Sequence, residues 1–348
     1  MTLRPIILCG GAGARLWPAS RPDRPKPFIK IFADRSLFQD TVLRVAGLDG
    51  AAPPVVVCGV AHVDQVARQL AEIGVEAQLI IEPEGRDSAP AILAAAAWTA
   101  EQDPKALALV VASDHHIPDA AAFRAAIALA APAAARGAIV TFGVRPTAPS
   151  AAYGYIRAGE GEGEDAVSPV AAFVEKPDLA TAAAYVADGF LWNSGNFLFR
   201  PEVLLAEAER LHPGLTGPVL AALAGAATAP GRLALGPDFA AAPRISIDFA
   251  VMEKTAAAAV LPVDYAWSDV GSWEAIWAAA ARDGAGNALT GRVVAAGSSG
   301  CLIRAEDGVT VVALGVRDLV VVAEDGKVLV ADRARTPELK AVLDGLDD

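Results

Sequence analysis

A glycine-rich segment and two cations lie close together near the start of the sequence. The apolar run Pro5–Cys9 leads into Gly10–Gly13, and Arg15 and Lys26 follow. Glycine lets the backbone approach a ligand closely and turn its N–H groups towards an anion. Arginine and lysine supply the positive charge that binds phosphate. The spacing therefore predicts a site for the phosphates of a nucleotide.

The order of the glycines matches neither of two common nucleotide-binding motifs. The segment reads G-G-x-G, whereas the dinucleotide-binding motif is G-x-G-x-x-G and the P-loop is G-x-x-x-x-G-K-[ST]. A tight turn between a strand and a helix is therefore an alternative. Residues 16–27 contain four prolines and three cations, so they cannot form one regular helix. We expect a rigid basic loop whose cations meet phosphate.

Two aspartates in separate motifs are candidate ligands for Mg²⁺. Asp114 follows the apolar run 107–112, and Asp269 lies in W-S-D-V-G-S-W. Mg²⁺ prefers one or two carboxylates together with phosphates and water. The structural alternatives are an N-cap for Asp114 and a turn for Asp269. Zinc is not favoured, because His115 and His116 have no further ligands nearby in the sequence.

Five other segments combine polar side chains with glycine, proline or a helix start. They are G-R-D-S-A-P (85–90), Y-G-Y-I (153–156), F-V-E-K-P (173–177), W-N-S-G-N-F (192–197) and S-I-D-F-A-V-M-E-K (246–254). Adjacent Glu175 and Lys176 can present opposite charges to a sugar hydroxyl and a sugar phosphate. Each segment also has a structural interpretation: a surface turn, an aromatic turn, or a helix capped by Ser88 or Ser246.

Taken in this order, the motifs resemble those of the sugar nucleotidyltransferases. The opening G-G-x-G-x-R-L-x-P with its later P-K-P-F is similar to the signature of that family, and the matched motifs span Leu8 to Trp273. The Leu-Trp-Pro and W-N-S-G segments most resemble members that use GTP and mannose 1-phosphate. Members usually carry Thr at the place of Ala14 and often Gln at the place of Pro27.

The resemblance implies a role for each matched residue. Arg15 and Lys26 would be catalytic by stabilising the departing pyrophosphate, and Asp114 and Asp269 would hold Mg²⁺. The implied nucleotide-binding residues are Leu8, Gly10, Gly11, Ala12, Gly13, Arg15, Lys26, Gly85, Arg86, Ser88 and Asp114. The implied sugar-binding residues are Gly154, Glu175, Lys176, Asn193, Gly195, Glu253 and Lys254.

The implied reaction joins GTP and α-D-mannose 1-phosphate to give GDP-mannose and pyrophosphate. No protein nucleophile is needed, because the sugar phosphate is already ionised. One alternative is the use of dTTP or UTP with glucose 1-phosphate. Another is a non-catalytic subunit that senses a nucleotide sugar; the presence of Lys26, Asp114 and Asp269 argues against it.

Composition limits the partners that we expect. The chain has 348 residues and a formal net charge of −12, which argues against nucleic acid as its main partner. We find no strongly apolar run of the length that a membrane span requires, and we expect no removable leader. Cys9, Cys58 and Cys301 are odd in number and far apart, which favours reduced thiols in a cytoplasmic protein. The oligomeric state stays open, with a homodimer as one option.

Strand and helix patterns alternate over the first half of the chain. We predict strands at 5–9, 54–58, 77–81, 107–112 and 138–142, with helices at 36–46, 62–73, 89–101 and 120–135. This rhythm predicts an α/β fold with a Rossmann-like, mostly parallel sheet and helices on both faces. In such sheets ligands bind at the carboxyl ends of the strands. Residues 153–173 are expected to form a hairpin, and 273–282 a helix.

Two domains are expected: a nucleotidyltransferase catalytic domain over 1–285 and a small all-β domain over 286–348. Short apolar runs separated by glycine turns between 287 and 332 fit a sandwich, a hairpin array or a β-helix. The family resemblance implies a left-handed parallel β-helix. A closing helix is predicted at 336–346, with Thr336 as its N-cap and Pro337 in its first turn.

Overall fold

The computed structural model of the chain describes residues 2–10, 13–161 and 166–345. Gly11 and Ala12, both predicted to bind nucleotide, lie outside the described residues. The chain divides into two compact units. The first contains Met1–Gly10, Thr41–Ser113 and Ile117–Trp267, and the second contains Gly11–Asp40, Asp114–His116 and Ser268–Asp348.

A single large sheet forms the centre of the first unit. Its strands are β1 (Leu3–Cys9), β2 (Val55–Gly59), β3 (Gln78–Glu82), β4 (Leu107–Ala112), β5 (Ile139–Val144), β6 (Tyr155–Ala158), β7 (Ser168–Val174), β8 (Leu191–Phe199), β9 (Ala227–Ala229), β10 (Arg232–Ala234) and β11 (Ala258–Val263). Their order is β5-β11-β7-β6-β8-β4-β1-β2-β3-β10-β9. The run β4-β1-β2-β3-β10 is parallel, whereas β8 runs antiparallel to β4. The α/β fold is thereby confirmed.

Seven helices are described between these strands: α1 (Leu37–Ala46), α2 (Val63–Glu72), α3 (Ser88–Gln102), α4 (Ala120–Ala135), α5 (Leu179–Ala187), α6 (Pro201–Leu211) and α7 (Thr216–Ala224). The buried alanines of α3 let this helix pack closely in the core of the first unit. Its N-cap is Asp87, whose carboxylate accepts a hydrogen bond of 2.7 Å from the Ser88 N–H. The prediction that Ser88 caps this helix was wrong.

The first-half strands and helices lie within two residues of their predicted bounds. This agreement has a simple cause: the parallel strands are buried, so each is a short run of apolar residues such as Val55–Cys58. The hairpin expected at 153–173 is formed by β6 and β7, which pair antiparallel. Residues 162–165 of its connection lie outside the described part of the chain.

Strands in the second unit alternate between two small sheets. They are β12 (Ala288–Thr290), β13 (Arg292–Ala296), β14 (Leu302–Ala305), β15 (Thr310–Leu314), β16 (Leu319–Glu324) and β17 (Lys327–Asp332). Pairing is parallel along β12-β14-β16 and for β13-β15, and β17 closes the first sheet antiparallel to β16. Parallel pairing of alternate strands rules out the hairpin array and is the pattern of a β-helix.

Two helices of the second unit are shorter than predicted. Helix α8 (Trp273–Ala279) ends before residue 282, and α9 (Leu339–Leu343) follows a 3₁₀ turn at Arg333–Glu338. Thr336 lies inside that turn, where its hydroxyl donates a 2.9 Å hydrogen bond to the Arg333 carbonyl. Its predicted role as the N-cap of a closing helix was therefore wrong. The described residues contain no helix with the length and apolar character of a membrane span.

Candidate active site

Glycine and proline shape the loop that carries Lys26. Gly13 has a φ of +63°, and a Cβ at this position would collide with the Lys26 side chain. Lys26 opens the short 3₁₀ turn Lys26–Phe28, and Pro25 before it is extended, with φ −63° and ψ 157°. The missing side chain at Gly13 lets the lysine stem lie against the turn, so that Lys26 is only 6% exposed.

The ammonium group of Lys26 joins the two aspartates that the sequence predicted as metal ligands. Its Nζ lies 2.7 Å from Asp114 Oδ2 and donates a hydrogen bond to the backbone carbonyl of Asp269. His116 and Ser268 form an antiparallel bridge, with N–H···O distances of 2.9 and 3.1 Å. This bridge brings together two segments that are far apart in the sequence.

The charge state of Asp114 suits a cation. Burial pushes the pKa of its carboxyl upward, but the Lys26 ammonium, His115 and hydrogen bonds outweigh burial and hold that pKa below its usual range. The group is therefore an anion at neutral pH, which is the state that a metal ligand requires. Asp114 does not cap a helix, because it precedes a short extended segment.

A tight turn fixes the position of Asp269. Its Oδ1 accepts a hydrogen bond of 3.2 Å from the Gly271 N–H, and a Cβ at Gly271 would lie 2.6 Å from Asp269 Oδ2. Ser272 caps α8 as predicted, through a 3.2 Å hydrogen bond from the Ala275 N–H. Trp273 then donates from its indole to the Trp17 carbonyl at 3.0 Å. The aromatic residues of this motif therefore anchor the turn.

The donor set of Asp114 and Asp269 fits a hard divalent cation. Both residues offer oxygen atoms, and both already contact a positive charge, the Lys26 ammonium. Over the described ranges, no group of three or more His, Cys, Asp or Glu side chains is placed to hold a metal. A cation on these two aspartates would therefore complete its shell with substrate phosphates and water, as Mg²⁺ usually does.

The other cations of the basic loop have different environments. Arg15 is exposed and has no hydrogen bond or ion pair to another described residue. Arg21 pairs with Asp325, and Arg24 pairs with Glu324 at 2.5 Å. The expectation that all the loop cations meet phosphate therefore needs correction, because these two arginines bind carboxylates of the C-terminal strands.

A cluster of polar residues in the first unit contains the predicted sugar ligands. Glu175 follows β7, and its Oε1 lies 2.5 Å from Lys176 Nζ. The Glu175 N–H donates to Glu253 Oε1 at 3.1 Å. Oε2 of Glu175 is buried without a hydrogen-bond partner among the described residues, and the side chain is 7% exposed. A Cβ at Gly154 would collide with this oxygen.

Protein contacts use most of the hydrogen-bonding capacity of Asn193, on β8. Its Oδ1 accepts from Thr141 Oγ1 at 3.0 Å and from the Gly195 N–H at 3.1 Å, and its Nδ2 donates to Asp248 Oδ1 at 2.9 Å. Gly195 has a φ of +67°, which favours glycine. Asn193 therefore orients its neighbours as much as it offers groups to a ligand.

Asp248 belongs to this cluster, although the sequence gave no separate reason to select it. Burial, with the nearby Glu175 carboxylate as a second cause, raises its pKa to about 7. Lys254, by contrast, is exposed and has no side-chain hydrogen bond or ion pair within the described ranges. The structure thus brings Gly154, Glu175, Lys176, Asn193, Gly195 and Glu253 together but not Lys254.

The first unit also places residues of the predicted nucleotide region. Leu8 is half-buried near the end of β1, Gly10 is exposed just after it, and Gly85 is exposed in the loop after β3. Arg86 pairs with Glu84 at 2.6 Å, and Ser88 Oγ accepts a 2.9 Å hydrogen bond from the Ile247 N–H.

Glu82 was missed by sequence reasoning. It ends β3, and the order β1-β2-β3 places it at the same sheet edge as the end of β1. Its Oε1 is buried with no hydrogen-bond partner in the described chain, and burial raises its pKa to about 7. Its place directly before the G-R-D-S-A-P motif was the available signal.

Comparison with known proteins defines the class. Residues 4–285 match the nucleotidyl transferase family, and the chain belongs to this family. Residues 291–346 match the MannoseP isomerase/GMP-like beta-helix domain, in agreement with the parallel pairing of the C-terminal strands. Members of the nucleotidyl transferase family typically use a divalent metal.

Similar proteins extend over almost the whole chain. Xanthan biosynthesis protein XanB of Xanthomonas campestris pv. campestris (strain B100) is 44% identical over 97% of this chain and 72% of its own length. Mannose-1-phosphate guanylyltransferase of Escherichia coli (strain K12) is 42% identical over 98% and 73%. The crystal structure of mannose-1-phosphate geranyltransferase from Thermus thermophilus is 36% identical, with a TM-score of 0.89 over 99% of both chains.

Proposed function

We propose that this protein is a mannose-1-phosphate guanylyltransferase, which transfers GMP from GTP to α-D-mannose 1-phosphate. The observation that carries the proposal is the convergence of Lys26, Asp114 and Asp269. One cation and two aspartates are the set that a nucleotidyl transfer needs, and relatives that match over almost the whole of this chain bear this name.

The reaction needs positioning and charge more than covalent catalysis. A phosphate oxygen of mannose 1-phosphate forms a bond to the α-phosphorus of GTP, while the bond from that phosphorus to the bridging oxygen breaks and pyrophosphate leaves. When bound at Asp114 and Asp269, Mg²⁺ would offset the negative charge of the phosphates. Lys26 and Arg15 would stabilise the charge that accumulates on the departing pyrophosphate.

The lysine also has a role before substrate binds. Its ammonium neutralises Asp114 in the structure, so two aspartates are held close without a bound metal. A divalent cation can take over that neutralisation, and Lys26 is then available to phosphate. We infer that Lys26 changes partners from carboxylate to phosphate when nucleotide binds.

The cluster around Glu175 is suited to a sugar with a phosphate group. The buried, unpartnered Oε2 of Glu175 can accept a hydrogen bond from a sugar hydroxyl, which removes the cost of its burial. Lys176 supplies a positive charge for the sugar phosphate. Gly154 leaves room for Glu175 Oε2, and Asn193 with Glu253 holds the surrounding groups.

Glu82 is our candidate for recognition of the base. A guanine presents two adjacent N–H donors, at N1 and at the 2-amino group, and a carboxylate can accept both. Adenine has an acceptor at N1 and no 2-amino group, so it would leave Glu82 unpaired. The unpartnered Oε1 of Glu82 supports this assignment. Gly10, Gly13, Gly85, Arg86 and Ser88 stay proposed nucleotide-binding residues, as do Leu8, Gly11 and Ala12.

The domain boundary remains a proposal as well. We place the catalytic domain at 1–285 and the β-helix domain at 286–348, which the two family matches at 4–285 and 291–346 support.

A matrix of substrates tests the proposed activity. Each of GTP, ATP, dTTP and UTP is paired with mannose 1-phosphate and with glucose 1-phosphate, and pyrophosphate release is measured with and without Mg²⁺. We expect turnover to be highest for GTP with mannose 1-phosphate and to depend on the metal. Preferred use of dTTP or UTP with glucose 1-phosphate would contradict the substrate assignment, and no turnover with any pair would favour a sensing subunit.

A further inference from the structure

A buried glutamate in the C-terminal strands is tied to both ends of the segment that carries Lys26. Glu324 is the last residue of β16, and its side chain is 7% exposed. Its Oε1 lies 2.5 Å from Arg24 Nη2, and its Oε2 lies 3.2 Å from Arg304 Nε. Arg304 in turn donates from Nη2 to the carbonyl of Lys30 at 2.8 Å. The two contacts hold residues 24 and 30, on either side of Lys26.

The strand register makes this arrangement a built feature of the β-helix domain. Arg304 pairs with Val322 across the parallel strands β14 and β16, and Glu324 lies two residues further on. Residues two apart in a strand point to the same face, so the arginine and the glutamate are diagonal neighbours. The turn at Asp325 and Gly326, with φ values of 55° and 67°, ends β16 immediately after Glu324.

The contact with Arg24 fixes the backbone next to the lysine. Arg24 also donates to the carbonyl of Ala19, from Nε at 3.1 Å and from Nη2 at 2.9 Å. Its backbone N–H and carbonyl pair with those of Arg21 at 3.0 and 3.1 Å. Pro25 alone separates Arg24 from Lys26, and its ring leaves little freedom in φ. A shift of the Arg24 backbone would therefore move the lysine.

We propose that Glu324 is a positioning residue for Lys26, acting through Arg24 and Arg304. This inference rests on the proposed catalytic role of Lys26. Glu324 itself would touch no substrate. A buried carboxylate shared by two arginines has defined geometry, since each arginine presents a planar set of N–H donors. The C-terminal domain thereby contributes to the rate of the reaction rather than to stability alone.

Steady-state kinetics of Glu324→Gln and Arg304→Gln test the proposal. Because a misplacement of about 1 Å can reduce a rate by about a hundredfold, we expect kcat to fall by about tenfold to a hundredfold in each variant. The KM for mannose 1-phosphate should change less than about twofold, since the loss would lie in transition-state stabilisation. Glu324→Asp should recover part of the rate.

Asp325→Asn is the matched control. Asp325 lies on the same turn and pairs with Arg21, but its side chain is 57% exposed, and an exposed ion pair contributes little. Asparagine also tolerates the positive φ of this position. We expect kcat to stay near that of the unmodified protein. Melting temperatures of all variants show whether a fall in kcat merely follows a loss of stability.

A double-mutant cycle with Lys26→Met separates positioning from a general structural effect. If Glu324 acts through the lysine ammonium, Glu324→Gln should change the residual kcat of Lys26→Met less than about twofold. An equal fall in both backgrounds, or an unchanged kcat in Glu324→Gln and Arg304→Gln, would overturn the proposal. Near-normal turnover of Lys26→Met alone would instead overturn the proposed role of Lys26, so the two failures are distinguishable.

Discussion

Replacement of Lys26 by methionine removes one charge and little else. The lysine stem packs against Gly13, so a side chain of similar length and shape preserves that contact. The ammonium that bridges Asp114 and the Asp269 carbonyl is lost. We expect kcat to fall by about a hundredfold to a thousandfold, the usual effect of removing one preorganised group that stabilises developing negative charge.

The same replacement has a smaller effect on folding. Removal of one partner of a fully buried ion pair costs about 3–5 kcal/mol, but the Asp114 side chain is 23% exposed and can regain contact with water. We therefore expect a loss of about 1–2 kcal/mol, below that range. Mg²⁺ should recover part of it by pairing with the aspartates.

Pyrophosphate release under saturating GTP and mannose 1-phosphate measures the kinetic effect, and thermal unfolding with and without Mg²⁺ measures stability. Lys30→Met is the control, because Lys30 lies in the same loop, is exposed, and contributes only its backbone carbonyl to the contacts described. A kcat for Lys26→Met within about threefold of the Lys30→Met value would refute the reasoning, given the hundredfold effect expected for such a charge.

Three further predictions concern the other groups of the site. Asp269→Asn should lower the apparent affinity for Mg²⁺ in a metal titration of turnover by at least about tenfold, and Gly271→Ala, which crowds the same carboxylate, should do so more weakly; equal Mg²⁺ dependence in all three proteins would contradict the metal assignment. Glu82→Gln should reduce the preference for GTP over ITP, which lacks the 2-amino group, by about tenfold or more; an unchanged ratio of kcat/KM values would exclude Glu82 from base recognition. Asp248→Asn should stabilise the protein more at pH 8 than at pH 5, because a carboxyl whose pKa is raised to about 7 on folding costs stability as the pH rises from its unfolded pKa to that value; thermal melts that shift equally at both pH values would show that Asp248 does not titrate there.

Local signals in the sequence were strong enough to predict the α/β half of the fold. The buried parallel strands are short apolar runs, and the helices between them are rich in alanine, so both kinds of element could be recognised without knowledge of their contacts. The C-terminal strands could be predicted individually but not arranged, because parallel and antiparallel pairing use the same residue types. Only the observed register selects the β-helix pattern.

The candidate site shows the same division between local and long-range information. Gly13 and Lys26 belong to one short segment, and their types alone indicated phosphate. The convergence of Asp114 and Asp269 depends on the bridge between His116 and Ser268, which no local pattern specifies. The environment of Glu82 was also hidden, since its unpartnered oxygen is a consequence of burial at the edge of the sheet.

The arginines of the basic loop show why charge alone is an incomplete guide to a ligand site. Arg21, Arg24 and Lys26 lie within six residues and look equivalent in the sequence. Two of them pair with carboxylates at the end of β16 and in the following turn, and the third reaches the aspartates of the proposed metal site. Because an ion pair to a protein carboxylate anchors the backbone, the two arginines define where the lysine lies. Cations that never contact phosphate can in this way determine how well a neighbouring cation does.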